Sequence, residues 1–309
     1  LLQGVGVVQP VLIFLMLFLT FCRVNPSQMH LCRWQLWNLL LQAGMFALLC
    51  LVLVLFPLTP LRPVIEGALL CFICPTATAA VVVTSKLGGR AGTTTAYTLL
   101  INLGVAILVP LLVPLAHPQA GMGFAHAFSM ILSKVFPLLL CPIVAAELLR
   151  RLSPSLTGRL ASFRDLPFHL WAVALALALA VTTRSLVTSH VSLALAGGIA
   201  QASLLACIIQ FAVGRLAGRK YGDPISGAQS CGQKNTVFAI WMGYTFLTPV
   251  TALAGGFYSI WHNVYNSWQL AQMRKRNCHL MSFHLCLHRV WLALRLPLSS
   301  ATGECFPLR

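Results

Sequence analysis

From Ala91 to Ser133 the chain carries no Asp, Glu, Lys or Arg, and Trp34 to Leu61 is equally free of formal charge. No other feature limits the fold more. The hydrocarbon core of a bilayer is about 30 Å thick, and roughly 20 apolar residues cross it as a helix. Inside it every backbone group needs an internal partner, so such runs fold as helices. The composition agrees. The chain is 58% hydrophobic and 8% charged, with a mean hydropathy of +0.84, whereas a soluble domain carries about a quarter charged residues. These values exclude a soluble globular domain and predict an all-α polytopic membrane protein embedded in a lipid bilayer.

Nine spans are expected, near residues 5–22, 35–56, 64–84, 93–116, 128–149, 167–183, 191–216, 224–246 and 250–270. The first has no basic leader and no small-residue cleavage site, which argues against a signal peptide. The net charge of +16 would suggest nucleic acid in a soluble protein. Here the basic residues fall between apolar runs and read as topology, so no nucleic-acid partner is expected. Loops after odd-numbered spans hold Arg23, Arg33, Lys86, Arg90, Arg150, Arg151, Arg159, Arg164, Arg215, Arg219, Lys220, Arg274, Lys275 and Arg276; loops after even-numbered spans hold Arg62 and Arg184. Cytoplasmic loops collect Lys and Arg. The N-terminus is therefore expected outside and the end of span nine inside. The 11 cysteines, Cys22, Cys50, Cys71 and Cys207 among them, are scattered through the runs and read as small apolar residues.

Spans three and eight share a pattern. One reads EGALLCFICPTATAAVVVTSKLGG from Glu66, the other DPISGAQSCGQKNTVFAIWMGYTF from Asp223. Laid together, acid meets acid, Cys74 meets Cys231 and Pro75 meets Gly232. A polar cluster follows each: Thr76 and Thr78, against Gln233, Lys234 and Asn235. The two spans are five apart in order, so the copies cross in opposite directions. Inverted repeats with broken helices that meet near the midplane are a signature of secondary transporters. Irregular backbone survives at that depth only when buried in protein or lining a wet cavity.

CPTATAAVVVTSKLGG and GQKNTVFAIWMGYTFLTPVTALAGGFYSIWHNVYNSW resemble the bile acid:sodium symporter family, its bacterial members above all. The resemblance runs from about residue 8 to residue 272, and SIWHN, Ser259–Asn263, is its most specific part. It implies an inverted-repeat transporter with a panel domain, spans one, five and six, and a core domain, spans two to four and seven to nine. Spans three and eight would be its two crossed discontinuous helices. The first repeat would cover 1–116, the second 128–270, and 277–309 would be a tail outside both. By this likeness the first helix of repeat one is absent. The chain begins at Leu1 rather than Met, so a truncated N-terminus is expected. The implied location is the bacterial inner (plasma) membrane.

In sodium-coupled members the second crossing helix reads Glu-x-Gly-x-Gln-Asn. That pattern falls here on Ser230, Cys231, Gly232, Gln233, Lys234 and Asn235. Ser230 replaces the acidic sodium ligand and Lys234 the glutamine ligand. The family's Ser-Asn pair falls on Ala80 and Val81, while two hydroxyls survive as Thr94 and Thr98. Sodium thus remains a possible ion on altered ligands, and Lys234 stands where it would have bound. An ammonium has three donors for carbonyls, amides or an anion, and losing its proton would permit proton coupling. Ionisable residues inside spans mark functional sites by default; the bland alternative, snorkelling to an interface, fits poorly some ten residues into the span.

The expected function is a secondary carrier of a small organic anion, not an enzyme. Thr76, Thr78, Thr94, Thr98, Gln233, Lys234, Asn235 and Thr236 form the expected site, with no cofactor and no metal centre. The alternatives are a proton-coupled or uncoupled carrier, an intramembrane enzyme, or a channel. Neither a nucleophile elbow, a phosphate loop nor a His-Glu-x-x-His helix occurs. Glu66 and Asp223 read as helix caps or partners of nearby basic groups. Asn102 reads as a site residue or a tie between helices, and Lys134 as a snorkelling side chain. His262 and Asn263 match the family motif. Cys278, His279, His284, Cys286 and His288 in the tail match no zinc spacing.

Overall fold

The apolar runs are helical. The structure is a computed structural model that describes residues 2–24, 29–118, 121–163, 166–188 and 191–294. Its helices are α1 (Leu2–Arg23), α2 (Arg33–Leu55), α3 (Arg62–Ile73), α4 (Ala79–Lys86), α5 (Ala91–Ala116) and α6 (Phe124–Leu152), then α7 (Pro154–Ser162), α8 (Leu166–Thr188), α9 (Leu193–Lys220), α10 (Pro224–Gly232), α11 (Thr236–Phe246) and α12 (Leu253–Leu294). No strand occurs among the described residues. Four helices, α2, α5, α6 and α9, are long and apolar enough to cross a membrane, the mark of an integral membrane protein. Their exposed Leu48, Leu51, Ile107, Val144 and Ile208 present the apolar outside that a bilayer requires. Proline opens α3, α7 and α10, where its missing N–H and fixed φ do no harm.

Two features differ from expectation. The link between the fifth and sixth expected spans contains a separate nine-residue helix, α7. The last helix does not stop near residue 270 but runs to Leu294. No proline lies between Pro249 and Pro297, and no glycine between Gly256 and Gly303, so nothing breaks it. The chain divides into two units between Asn266 and Ser267. In the second, side chains are described only to Lys275; the cysteines and histidines of the tail lie outside the described residues.

Within the first unit, hydrogen bonds show which ends meet. At one end, Arg62 and Glu66 of α3 reach Ala116 and His117 after α5, and Thr251 before α12. At the other, Gly89 after α4 lies against Ile225 and Ser226 of α10, and Thr93 of α5 bonds Asp223. The broken pair α3–α4 therefore runs antiparallel to the broken pair α10–α11.

The tightest crossing is that of α9 with α10. A Cβ on Gly227 would stand 2.3 Å from the Gly214 carbonyl oxygen, and one on Gly214 would stand 2.4 Å from the Gly227 oxygen. Small residues permit such backbone approach where no hydrophobic effect drives helices together. Gly227→Val should force the pair apart and cost about 1–3 kcal/mol, read as a lowered unfolding temperature in detergent. Gly44→Ala, inside α2 with nothing within 4 Å of the added carbon, should leave it unchanged or slightly raised. Equal behaviour of the two variants would refute this account.

Candidate functional site

Both expected breaks are present, and their causes differ. Pro75 has no N–H for the α3 ladder and pushes its predecessor out of the helical region; Cys74 is extended at φ −51°, ψ 131°. The second break has no proline. Gln233 is extended at φ −88°, ψ 105°, and the preceding Gly232 leaves room for a ring: a Cβ there would stand 2.3 Å from Phe211 Cγ.

The two extended segments pair with each other as an isolated antiparallel bridge, Thr76 opposite Lys234. The Ala77 N–H donates to the Gln233 carbonyl at 2.8 Å, and the Asn235 N–H to the Pro75 carbonyl at 2.9 Å. The side chains repeat this reciprocity. Thr76 Oγ1 donates to the Ser230 carbonyl at 2.7 Å, and Lys234 Nζ to the Phe72 carbonyl at 3.4 Å. Each break thus caps the frayed end of the other's first half-helix. This exchange matches Thr76 with Lys234, one residue away from the register in which Pro75 meets Gly232.

A helix end leaves carbonyls without partners, and at low dielectric each orphan is costly. Side chains from three other helices supply the rest. Gln210 Nε2 of α9 donates to the Cys71 carbonyl at 3.2 Å. Gln42 Nε2 of α2 donates to the Cys231 carbonyl at 3.2 Å. The Tyr258 hydroxyl of α12 donates to the Gly232 carbonyl at 2.8 Å and accepts from Gln210. Sequence reading passed over these three. Gln42 and Gln210 carried a usable signal, an amide amid apolar residues; Tyr258 carried none.

Lys234 is 1% exposed. Cys71, Cys74, Cys207 and Cys231 are buried free thiols, in keeping with their reading as small apolar residues. No carboxylate pairs with Lys234 among the described residues. Glu66 holds Arg62 and His117, Glu147 holds Arg150 and Arg151, and Asp223 accepts from Thr93 at 2.8 Å. Lys234 Nζ lies instead against the Phe72 carbonyl in the last turn of α3, the negative end of that helix, where a cation is favoured.

The expected site residues divide into groups. Thr76, Gln233, Lys234 and Asn235 meet in the bridge, with Thr236 opening α11. Asn235 Oδ1 caps α11 by accepting from Phe238 N at 3.2 Å. Thr78 precedes α4 and, unlike Thr76 and residues 233–236, is only partly buried. The oxygens Ser230 Oγ, Gln233 Oε1 and Thr236 Oγ1 are buried without a protein partner among the described residues. Thr94 and Thr98 lie a turn apart on α5. Thr94 Oγ1 donates to Thr84 Oγ1 at 3.2 Å, and Thr98 Oγ1 bonds back to the Thr94 carbonyl at 2.9 Å. Ala80 is fully buried and Val81 half-buried on α4.

Other candidates resolve differently. Glu66 pairs with a nearby base, as read, and Asp223 precedes α10 without capping it through its side chain. Asn102 is buried with neither amide atom bonded to a described residue, so it makes no observed tie. Lys134 Nζ lies 5.8 Å above the Phe246 ring. His262 is buried edge-on to Tyr258, and Asn263 Nδ2 donates to the Ser259 carbonyl of its own helix. The described residues contain no group of three His, Cys, Asp or Glu fit to hold a metal ion. No protein-family model matches the chain, and no curated protein matches it.

Proposed function

We propose that this chain is a secondary carrier of a small organic anion, built on the plan of the bile acid:sodium symporter family that its sequence resembles. One observation carries the reading: two antiparallel broken helices exchange hydrogen bonds at their breaks around a buried ammonium. Such a crossing is what an inverted-repeat transporter uses to hold its solute. In this reading α1, α2, α3–α4, α5, α6, α8, α9, α10–α11 and α12 make the nine spans, the N-terminus faces outside, and the basic ends face the cytoplasm of a bacterial cell. The panel of α1, α6 and α8 and the remaining core rock against each other to alternate access. The partly buried start of α4 at Thr78 receives the carboxylate or sulfonate, since helix N-termini favour anions, and protonated Lys234 supplies a positive charge nearby.

Sodium coupling fits this site poorly. The cation's place holds an ammonium, and the aligned ligand positions Ser230, Ala80 and Val81 offer no carboxylate. Uptake into vesicles should therefore proceed nearly as well in choline as in sodium medium, at fixed membrane potential and pH. A steep sodium requirement would return the chain to the family's usual coupling. A proton-coupled or uncoupled cycle is the second reading, favoured by the absence of a carboxylate partner for Lys234 among the described residues; uptake under an imposed proton gradient separates the two. An intramembrane enzyme is disfavoured, because the three described carboxylates are engaged away from the crossing.

A further inference from the structure

The helix α7, which follows α6 and packs against α1 and α6, has a composition that the carrier cycle does not use. Nine residues make a helix about 14 Å long, too short to cross a core about 30 Å thick. One face packs inward: Thr157 is buried and Leu160 lies against the main core. The other side is open. Leu152, Leu156 and Phe163 are 75%, 43% and 57% exposed, an apolar group that water does not favour. Among them stand Arg151, whose side chain is 76% exposed, and the exposed Arg159.

Among the described residues the charges do not balance. Glu147 is the one described acidic residue here, and it is shared by Arg150 and Arg151. Arg150 also donates to the Phe21 and Val24 carbonyls at the end of α1, at 2.7 and 3.0 Å, so its role is to fasten α6 to α1. Arg159 has no ion-pair partner among the described residues. A short helix with exposed apolar side chains, an Arg159 unpaired among the described residues and an Arg151 that shares its one carboxylate with Arg150 is suited to lie in the headgroup region, apolar side toward the acyl chains. Guanidinium groups match phosphate in geometry as well as charge, and the cytoplasmic leaflet supplies anionic phospholipid.

We propose that α7 and the adjoining end of α6 form a binding site for an anionic phospholipid, with Arg151 and Arg159 on the headgroup phosphate and Leu152, Leu156 and Phe163 along the acyl chains. The proposal rests on the membrane orientation given above, not on the identity of the solute. The lipid would fix the connection between α6 and α8 at the surface while the crossed helices move.

The test uses the full chain in neutral detergent, titrated with short-chain phosphatidylglycerol, short-chain phosphatidylcholine or inorganic phosphate. Thermal unfolding and retained lipid by native mass spectrometry are the readouts. Phosphatidylglycerol is expected to bind and raise the unfolding temperature; phosphatidylcholine and phosphate are not. Arg151→Gln with Arg159→Gln should weaken the phosphatidylglycerol effect by about 25-fold, roughly five-fold per arginine. The corresponding double lysine variant, which keeps the charge but not the forked donors, should keep part of it. If the double glutamine variant does not fold, Arg159→Gln alone carries the comparison. Equal effects of phosphatidylcholine or of phosphate, or an undiminished phosphatidylglycerol effect in the glutamine variants, would overturn the site. Neither readout requires transport, so failure of uptake and failure of lipid binding remain separate results.

Discussion

Lys234→Gln is expected to reduce uptake of organic anions at least ten-fold while leaving a folded protein. The glutamine side chain is one bond shorter and Nζ already stands 3.4 Å from the Phe72 carbonyl, so the variant gives up only a long, weak bond at the end of α3. What disappears is the charge. Two unit charges 4 Å apart interact by roughly 4 kcal/mol at an effective dielectric near 20. A third of that already reaches a factor of ten, at about 1.4 kcal/mol per decade. Lys234→Arg keeps the charge but must seat a larger, planar guanidinium at a position only 1% exposed, and should recover only part of the activity. Vesicle uptake would be measured for a bile salt, an aryl sulfonate and a short dicarboxylate, in sodium and in choline. Full uptake by the glutamine variant in choline would remove Lys234 from the mechanism. A collapse of its unfolding temperature would assign the lysine to stability instead.

Much of the crossing was legible before any coordinates. Pro75 inside an apolar run forces a break, and three adjacent polar residues, Gln233 to Asn235, have no place on a lipid-facing helix. Local chemistry therefore marked both segments. Their register was less legible. Aligning the acids and cysteines set Pro75 against Gly232, whereas the bridge sets Thr76 against Lys234, because strand-like pairing follows backbone donors rather than residue types. Gly232 illustrates the same limit. Its smallness serves the Phe211 ring, a neighbour 21 positions earlier that local sequence does not reveal. The capping side chains Gln42, Gln210 and Tyr258 come from three helices, and only the fold brings them to the same carbonyls. The helix α7 escaped because its residues are too few and too polar to register as a span.

The second large effect should come from Glu66, away from the crossing. Its side chain is 2% exposed and accepts three bonds. Arg62 Nε donates to Oε1 at 2.9 Å, His117 Nδ1 lies 2.8 Å from the same oxygen, and Thr251 Oγ1 donates to Oε2 at 2.9 Å. Arg62 extends the clamp to the Pro57 carbonyl at 2.9 Å and to the Ala116 carbonyl. One carboxylate thus fastens the start of α3 to the end of α2, the end of α5 and the turn between α11 and α12. Removing one partner of a buried pair costs about 3–5 kcal/mol because the other charge is stranded. Arg62 and His117 keep 24% and 22% side-chain exposure, and water relieves part of that, so Glu66→Ala should cost about 2–4 kcal/mol. Glu147 provides the contrast. It also holds two bases, but its side chain is 40% exposed, and exposed pairs contribute far less than buried ones. Unfolding temperatures of Glu66→Ala and Glu147→Ala in the same detergent decide the matter; equal losses would mean that burial confers no special strength on the clamp. A large loss at Glu66 alone should also depress uptake. Helix α3 is twelve residues long, Glu66 anchors its first turns, and its last turn presents the carbonyl that holds Lys234. A helix loosened at one end cannot keep the ammonium fixed at the other.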